Sequence, residues 1–304
     1  MRKIGQYLLA NNIRASIVAL ICILLPWPFN AAAAVIVGMV SLQRGVVAGL
    51  SVLAWVVLPA VAATWKAHEF ALTYDIAFLI CALTWLFAAL LHWQRNWARV
   101  LELAAFLGMV VILGVTLVPH GIIMNWLAGL EKLVLDQLTQ VMQIDAGMVK
   151  QVMEQHAYFL LGGLYATPTI LALIYLMLAR SWQLAIVEPE KRRLEFYVIR
   201  IRWVPALILL LMIAAAAISH AQWLGAMVVI ACIPFVFAGL SLIMCVAAIE
   251  GRNKYLRMGL LIIAIAVLLF VAQIAILLLA FIGFIDSWIN FRKLEILRTK
   301  RVNS

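Results

Sequence analysis

Charge is what this sequence has least of. Of 304 residues only 12% are charged, with 13 Asp+Glu against 23 Lys+Arg, where a soluble domain carries roughly 25%. With 67% of residues hydrophobic and a mean hydropathy of +1.10, the chain has too little polar surface to cover a water-soluble globule. A soluble enzyme, a disordered regulator and a secreted disulfide scaffold are excluded on that ground. The net charge of +10 is dispersed in short gaps between apolar runs rather than gathered on one face, so no nucleic-acid partner is implied. Cysteine is also scarce. Cys22, Cys81, Cys232 and Cys245 all lie within apolar runs without CxxC spacing, which excludes a disulfide framework and a structural zinc site.

Catalytic motifs are missing too. There is no GxxxxGK[ST] loop and no GxSxG elbow, and His68-Glu69 lacks the second histidine of HExxH. No pair of carboxylates sits mid-span, as a proton relay requires. The expectation is a non-enzyme that holds no cofactor and no metal.

What is present is a series of apolar runs. A membrane span takes about 20 such residues, and six runs satisfy this: 46–64, 74–92, 101–118, 158–179, 203–219 and 222–249. The terminal runs, 15–42 and 256–288, are longer than one span and read as one long helix or a hairpin each. The expected fold is therefore all-α: a polytopic transmembrane helix bundle of about eight apolar segments in a single integral membrane domain, 1–304. Its partner is the lipid bilayer. Arg2, Lys3 and Arg14 followed by Ala31-Ala32-Ala33 resemble a secretory leader, but the apolar run continues to Val40 and is expected to stay as a membrane segment.

Lys and Arg collect on the cytoplasmic side of a membrane. The linker 180–202, with Arg180, Lys191, Arg192, Arg193, Arg200 and Arg202, is thus expected to be a basic cytoplasmic loop. Alternation from there places Arg44, Arg95 and Arg99 inside, and makes 119–157 an extracytoplasmic insertion. Its apolar residues, Ile123, Trp126, Leu127, Leu130, Leu133 and Val134 among them, recur at three and four, as in an amphipathic helix. The N-terminal basic residues return inside only if the chain bends at Pro26-Trp27-Pro28. The tail 289–304, with Arg292 and Lys293, returns inside only if 256–288 turns near Gln273. Arms of 13 to 16 residues would reach about 20 to 24 Å, so these hairpins are expected to be tilted or re-entrant. The resulting localisation is a bacterial cytoplasmic (inner) membrane, crossed many times.

Polar residues concentrate at the edges of the runs. His68 and Asp75, with Trp126 and His156, fall on the outer side and are the candidate lining of a solute pocket, because imidazole and carboxylate groups bind small polar ligands; no histidine pair has metal-ligand spacing. Gln43, Gln222 and Gln273 suit hydrogen bonds between helices. Small residues at a spacing of four, Ala34 with Gly38 and Gly45 with Gly49, suit close helix approach. Asp286, after an apolar run and ahead of Arg292 and Lys293, reads as an interfacial anchor. Arg44, Gly45, Gly49, Arg192, Arg193, Asp286 and Arg292 are the candidate partner-facing or interface residues.

The ending Gly283-Phe284-Ile285-Asp286-Ser287-Trp288-Ile289-Asn290-Phe291-Arg292-Lys293 resembles the closing G-x-x-D-x-W-x-x-F-R signature of the YybS-like membrane proteins of bacteria. Leu42-Gln43-Arg44-Gly45-Val46-Val47-Ala48-Gly49 is similar to that family's basic-glycine turn. The resemblance implies a distant likeness to the substrate-binding subunits of energy-coupling-factor transporters, which bind a small solute from outside and depend on ATPase and coupling membrane subunits. No vitamin-binding motif is visible in the outer segments. Two functions follow as expectations: a small-solute binding or transport subunit, and alternatively a non-transporting scaffold or assembly factor for a cell-envelope or membrane complex.

Overall fold

The computed structural model describes residues 5–7, 9, 11–25, 29–67, 72–117, 157–187, 194–219, 221–250, 272–289 and 291. These residues form helices and their connections, with no strand among them. A backbone surrounded by hydrocarbon must satisfy its hydrogen bonds internally, and a helix does so within one segment. In chain order the helices are α1 Asn12–Leu24, α2 Phe29–Arg44, α3 Val46–Ala67, α4 Leu72–Gln94 and α5 Trp97–Leu117, then α6 Ala157–Val187, the single turn α7 Leu194–Tyr197, α8 Trp203–Ser219, α9 Gln222–Glu250 and α10 Ala272–Trp288. Four stretches, Ile76–Gln94, Trp97–Leu117, Gly162–Val187 and Gln222–Cys245, are long and apolar enough to cross a membrane. The other apolar stretches, among them Val46–Pro59 of α3 and Ile274–Trp288 of α10, are shorter.

The N-terminal run divides where the prolines suggest. Helix α1 stops at Leu24 and α2 starts at Phe29; Pro26, Trp27 and Pro28 lie outside the described residues. Arg44, at the end of α2, donates to Asn12 Oδ1 at the start of α1 over 2.6 Å, so the two helices run antiparallel. Asn11 caps α1 by accepting from the Ile13 amide, which satisfies one of the donors a helix start leaves open. Helix α2 is the centre of the bundle. It packs against α1, α3, α4 and α6 and buries Ala33, Ala34, Ile36, Val37, Gly38, Met39, Val40, Ser41 and Leu42. A helix surrounded on all sides needs apolar residues all round, and α2 has them.

Close approach is achieved with glycine. A Cβ on Gly38 would lie 3.1 Å from Thr84 on α4 and 3.2 Å from Ala179 on α6, so the Ala34–Gly38 pair does seat α2 between neighbours. Gly45 and Gly49 act differently from a shared packing stripe. Gly45 has φ +95°, the left-handed conformation open to glycine, and reverses the chain from α2 into α3. Gly49 then rests on Ser41 of α2, whose Cα would stand 3.0 Å from an added Cβ.

Two hydroxyl groups buried inside the bundle return to their own helix. Ser41 donates to the Val37 carbonyl and Thr84 to that of Ile80, both over 2.7 Å, so neither hydroxyl is left unpaired in apolar surroundings. Pro59, Pro168 and Pro234 lie inside α3, α6 and α9, and each removes one intrahelical donor. Leu113, Leu178, Leu211, Leu277 and Phe281 are exposed. On helices that cross a membrane, such side chains face lipid.

Candidate functional site

One end of the bundle gathers the polar side chains. Helix α6 continues to Val187, so residues 180–187, within the stretch read as a loop, are helical. That extension places Arg180 and Gln183 one turn apart on the same face. Arg180 donates from Nε to both carboxylate oxygens of Glu195, at 3.0 and 3.1 Å, and from Nη1 to Gln183 Oε1 at 2.8 Å. Gln183 passes the contact on, its Nε2 donating to Gln43 Oε1 of α2 at 2.7 Å. Trp97, the first residue of α5, donates from its indole to Glu195 Oε1 at 3.1 Å and sets its ring 5.5 Å from that of Phe196.

The segment 194–202 is fastened further along. Ser241 of α9 donates to the Phe196 carbonyl at 2.6 Å. Arg200 donates from Nε to the Asp286 carbonyl at 3.1 Å and from Nη2 to the Ser287 carbonyl at 3.2 Å. These are last-turn carbonyls of α10, which lack intrahelical partners and carry the negative end of the helix dipole, so a guanidinium is well matched there. Residues of α2, α5, α6, α9 and α10 are thereby joined through one short connecting segment.

Several expected residues belong to this end. Arg44 is there through Asn12, beside Gly45 in the turn. His92 of α4 approaches the Leu42 carbonyl at 3.3 Å, which brings the α4–α5 connection, with Arg95 at φ 48°, to the same side. Asp286 is buried and accepts from the Phe291 amide at 3.1 Å. That bond ties down the chain as it leaves α10. Its expected cationic partners Arg292 and Lys293 lie outside the described residues.

The closing signature is thus largely structural. A Cβ on Gly283 would overlap the Phe235 carbonyl of α9, and one on Gly239 of α9 would overlap the Leu279 carbonyl. Phe284 stacks against Phe235 edge-on at 6.0 Å and stands 6.4 Å from Trp288. Of the signature positions, Gly283 seats α10 on α9, Asp286 and Phe291 bond to each other beyond its last turn, and Trp288 stands beside Phe284 of its own helix.

Sequence reasoning passed over Glu102. It is a carboxylate six residues into α5, in a run read only as a span. It lines an open cleft of about 390 Å³ with Gln94, Arg99, Leu103 and Phe106. Arg99 is braced by a 2.8 Å bond from Nη1 to Gln94 Oε1, and Arg202 and Arg99 lie within electrostatic reach of Glu102. The available signal was the single acidic residue between Trp97 and Leu117, with Arg99 three positions before it, on the same helix face.

Of the outer candidates only Asp75 is among the described residues. It is in the first turn of α4, while His68, Trp126 and His156 lie outside the described residues, as do Arg192, Arg193 and His220 and all of the expected insertion 119–157 but its last residue; Gln273, near which a turn was expected, is in the first turn of α10. Among the described residues no three of His, Cys, Asp and Glu converge. No protein-family model, curated protein or solved structure matches the chain.

Proposed function

We propose that this chain is a multi-pass protein of a bacterial inner membrane whose basic end docks a partner, in the manner of a scaffold or assembly subunit. The observation that carries the reading is the attachment of segment 194–202 to four helices, through Glu195, Phe196 and Arg200. A connection that only joins two spans needs no such fastening. Ordering it in advance removes the conformational entropy a partner would otherwise have to overcome on binding. Lys191, Arg192 and Arg193 immediately precede this segment and supply positive charge for an acidic partner surface. On the positive-inside principle the docking face is cytoplasmic. The YybS-like resemblance is in keeping with an integral membrane subunit and assigns no reaction.

The test is purification of the tagged chain from its native membrane in mild detergent, with mass spectrometry of whatever accompanies it. A stable partner lost on R192E/R193E but kept on H68A, D75A and H156A supports docking. Stoichiometric ATPase and coupling subunits, together with a solute whose binding disappears on H68A, D75A or H156A, would overturn it and make the chain a solute-binding transport subunit.

A further inference from the structure

Helix α5 has one face that changes character along its length. Arg99, Glu102, Leu103 and Phe106 are spaced three, one and three apart, and Val110, Leu113 and Leu117 continue the stripe at four, three and four. Such spacing keeps all seven on one side. Its first part lines the open cleft. Its second part is an exposed apolar track, with Phe106 57% and Leu117 86% exposed. At 1.5 Å per residue, Glu102 lies about 8 Å along the helix from Trp97 and Phe106 about one turn deeper, which is the depth of a headgroup followed by the start of the acyl region.

Glu102 is unusual in this position. It makes no direct ion pair or hydrogen bond among the described residues, and the Arg202 and Arg99 charges act on it at longer range. Every other acidic side chain described at this end is engaged: Glu195 by Arg180 and Trp97, Asp286 by Phe291. Arg202, also without an ion pair or hydrogen bond there, and Arg99 give two cations beside one anion. A phosphate diester next to an ammonium group complements that arrangement, and two acyl chains complement the track below it.

We propose that the cleft formed by Gln94, Arg99, Glu102, Leu103 and Phe106 binds an aminophospholipid, phosphate toward Arg99 and Arg202 and primary ammonium on the Glu102 carboxylate. A phospholipid bearing only negative charge would use the arginines and leave Glu102 unmatched. A choline headgroup has the positive charge but no N–H to donate, and so loses the charge-assisted hydrogen bond.

The test is native mass spectrometry of the delipidated full chain in detergent, with phosphatidylethanolamine, phosphatidylcholine and phosphatidylglycerol of matched acyl chains. The expected result is a roughly fivefold to tenfold preference for phosphatidylethanolamine over the other two. E102Q should reduce that lipid to the level of phosphatidylcholine without weakening phosphatidylglycerol. R99Q/R202Q should weaken all three. Equal binding of the three would mean an ordinary lipid annulus, and preference for phosphatidylglycerol would mean an anion site; either overturns the proposal, as does an E102Q protein that keeps its preference. The ordering in the unmodified chain is decisive even if a variant fails to fold.

Discussion

Glu195 is the side chain on which the polar end depends most. It receives a forked Arg180 contact and the Trp97 indole, while its neighbour Phe196 receives Ser241. Arg180 and Glu195 side chains remain 27% and 24% exposed, so water screens part of the attraction and the pair is worth less than a fully buried one. Removing the carboxylate in E195A should cost about 1 to 3 kcal/mol, since it also leaves two donors without their acceptor. The measurement is thermal unfolding in detergent of R180Q, E195Q and the double variant. A coupling of about 1 kcal/mol or more is expected; additive effects would mean the ion pair contributes nothing of its own. W97F, which keeps the ring on Phe196, should cost less than E195A.

The residue scale also separates what was legible from what was not. Gln43 and Asp286 stood out as polar exceptions beside apolar runs, and both have structural partners. Gln43 could not name Gln183, because a hydrogen bond between distant helices leaves no trace in spacing. Arg180 looked like the first residue of a loop for the simple reason that it is charged. It is helical because the apolar face of α6 resumes after it, at Leu184, and a span may extend past the membrane. Glu102 was hidden by the opposite bias, since a long apolar run absorbs one charge without ceasing to look like a span.

At the scale of elements, helix contacts in this chain are set by where a side chain is absent. Among apolar helices in lipid, association rests on close packing rather than on exclusion of water, and glycine permits the closest backbones. Gly239 and Gly283 face each other across α9 and α10, and a methyl group on either would meet backbone atoms that cannot rotate away. G239A and G283A should therefore abolish or greatly reduce folded protein, measured as the monodisperse fraction in detergent. Gly163 of α6 and Gly225 of α9 have nothing within 4 Å of an added Cβ. Alanine there should be neutral or stabilising by about 0.5 to 1 kcal/mol, through helix propensity alone. G45A is a third case: it has space, but its φ of +95° makes any side chain strained, at a cost of about 1 to 2 kcal/mol. Small pairs within one helix, such as Ala34 with Gly38, were visible in the sequence. The Gly239–Gly283 pairing was not, because its members belong to different helices.

At the scale of the molecule, the decisive relation is which ends lie together. Asn12 meets Arg44, Leu42 approaches His92, Gln43 meets Gln183, Glu195 meets Trp97, and Arg200 meets the end of α10. The start of α1, the ends of α2 and α4 and the start of α5 therefore share one side, together with Arg44, Arg95, Arg99 and Arg180. For the N-terminal run this is a return, α1 and α2 running antiparallel; residues 251–271, where the C-terminal run would turn, lie outside the described residues. Charge placement alone suggested that both ends of the chain turn back, and the described helices bear on the N-terminal one. Single cysteines at Arg14, Arg95, Arg202 and position 302, in a background with the four native cysteines replaced, test it with a membrane-impermeant thiol reagent. All four should be protected in intact cells and labelled in inverted vesicles. Labelling of position 302 from outside, with the other three protected, would show that the tail beyond α10 does not return to the side of Arg14 and Arg95. Labelling of Arg14 alone from outside would instead break the antiparallel pairing of α1 and α2, and would leave Asn12 and Arg44 on opposite faces, where the 2.6 Å bond between them could not form.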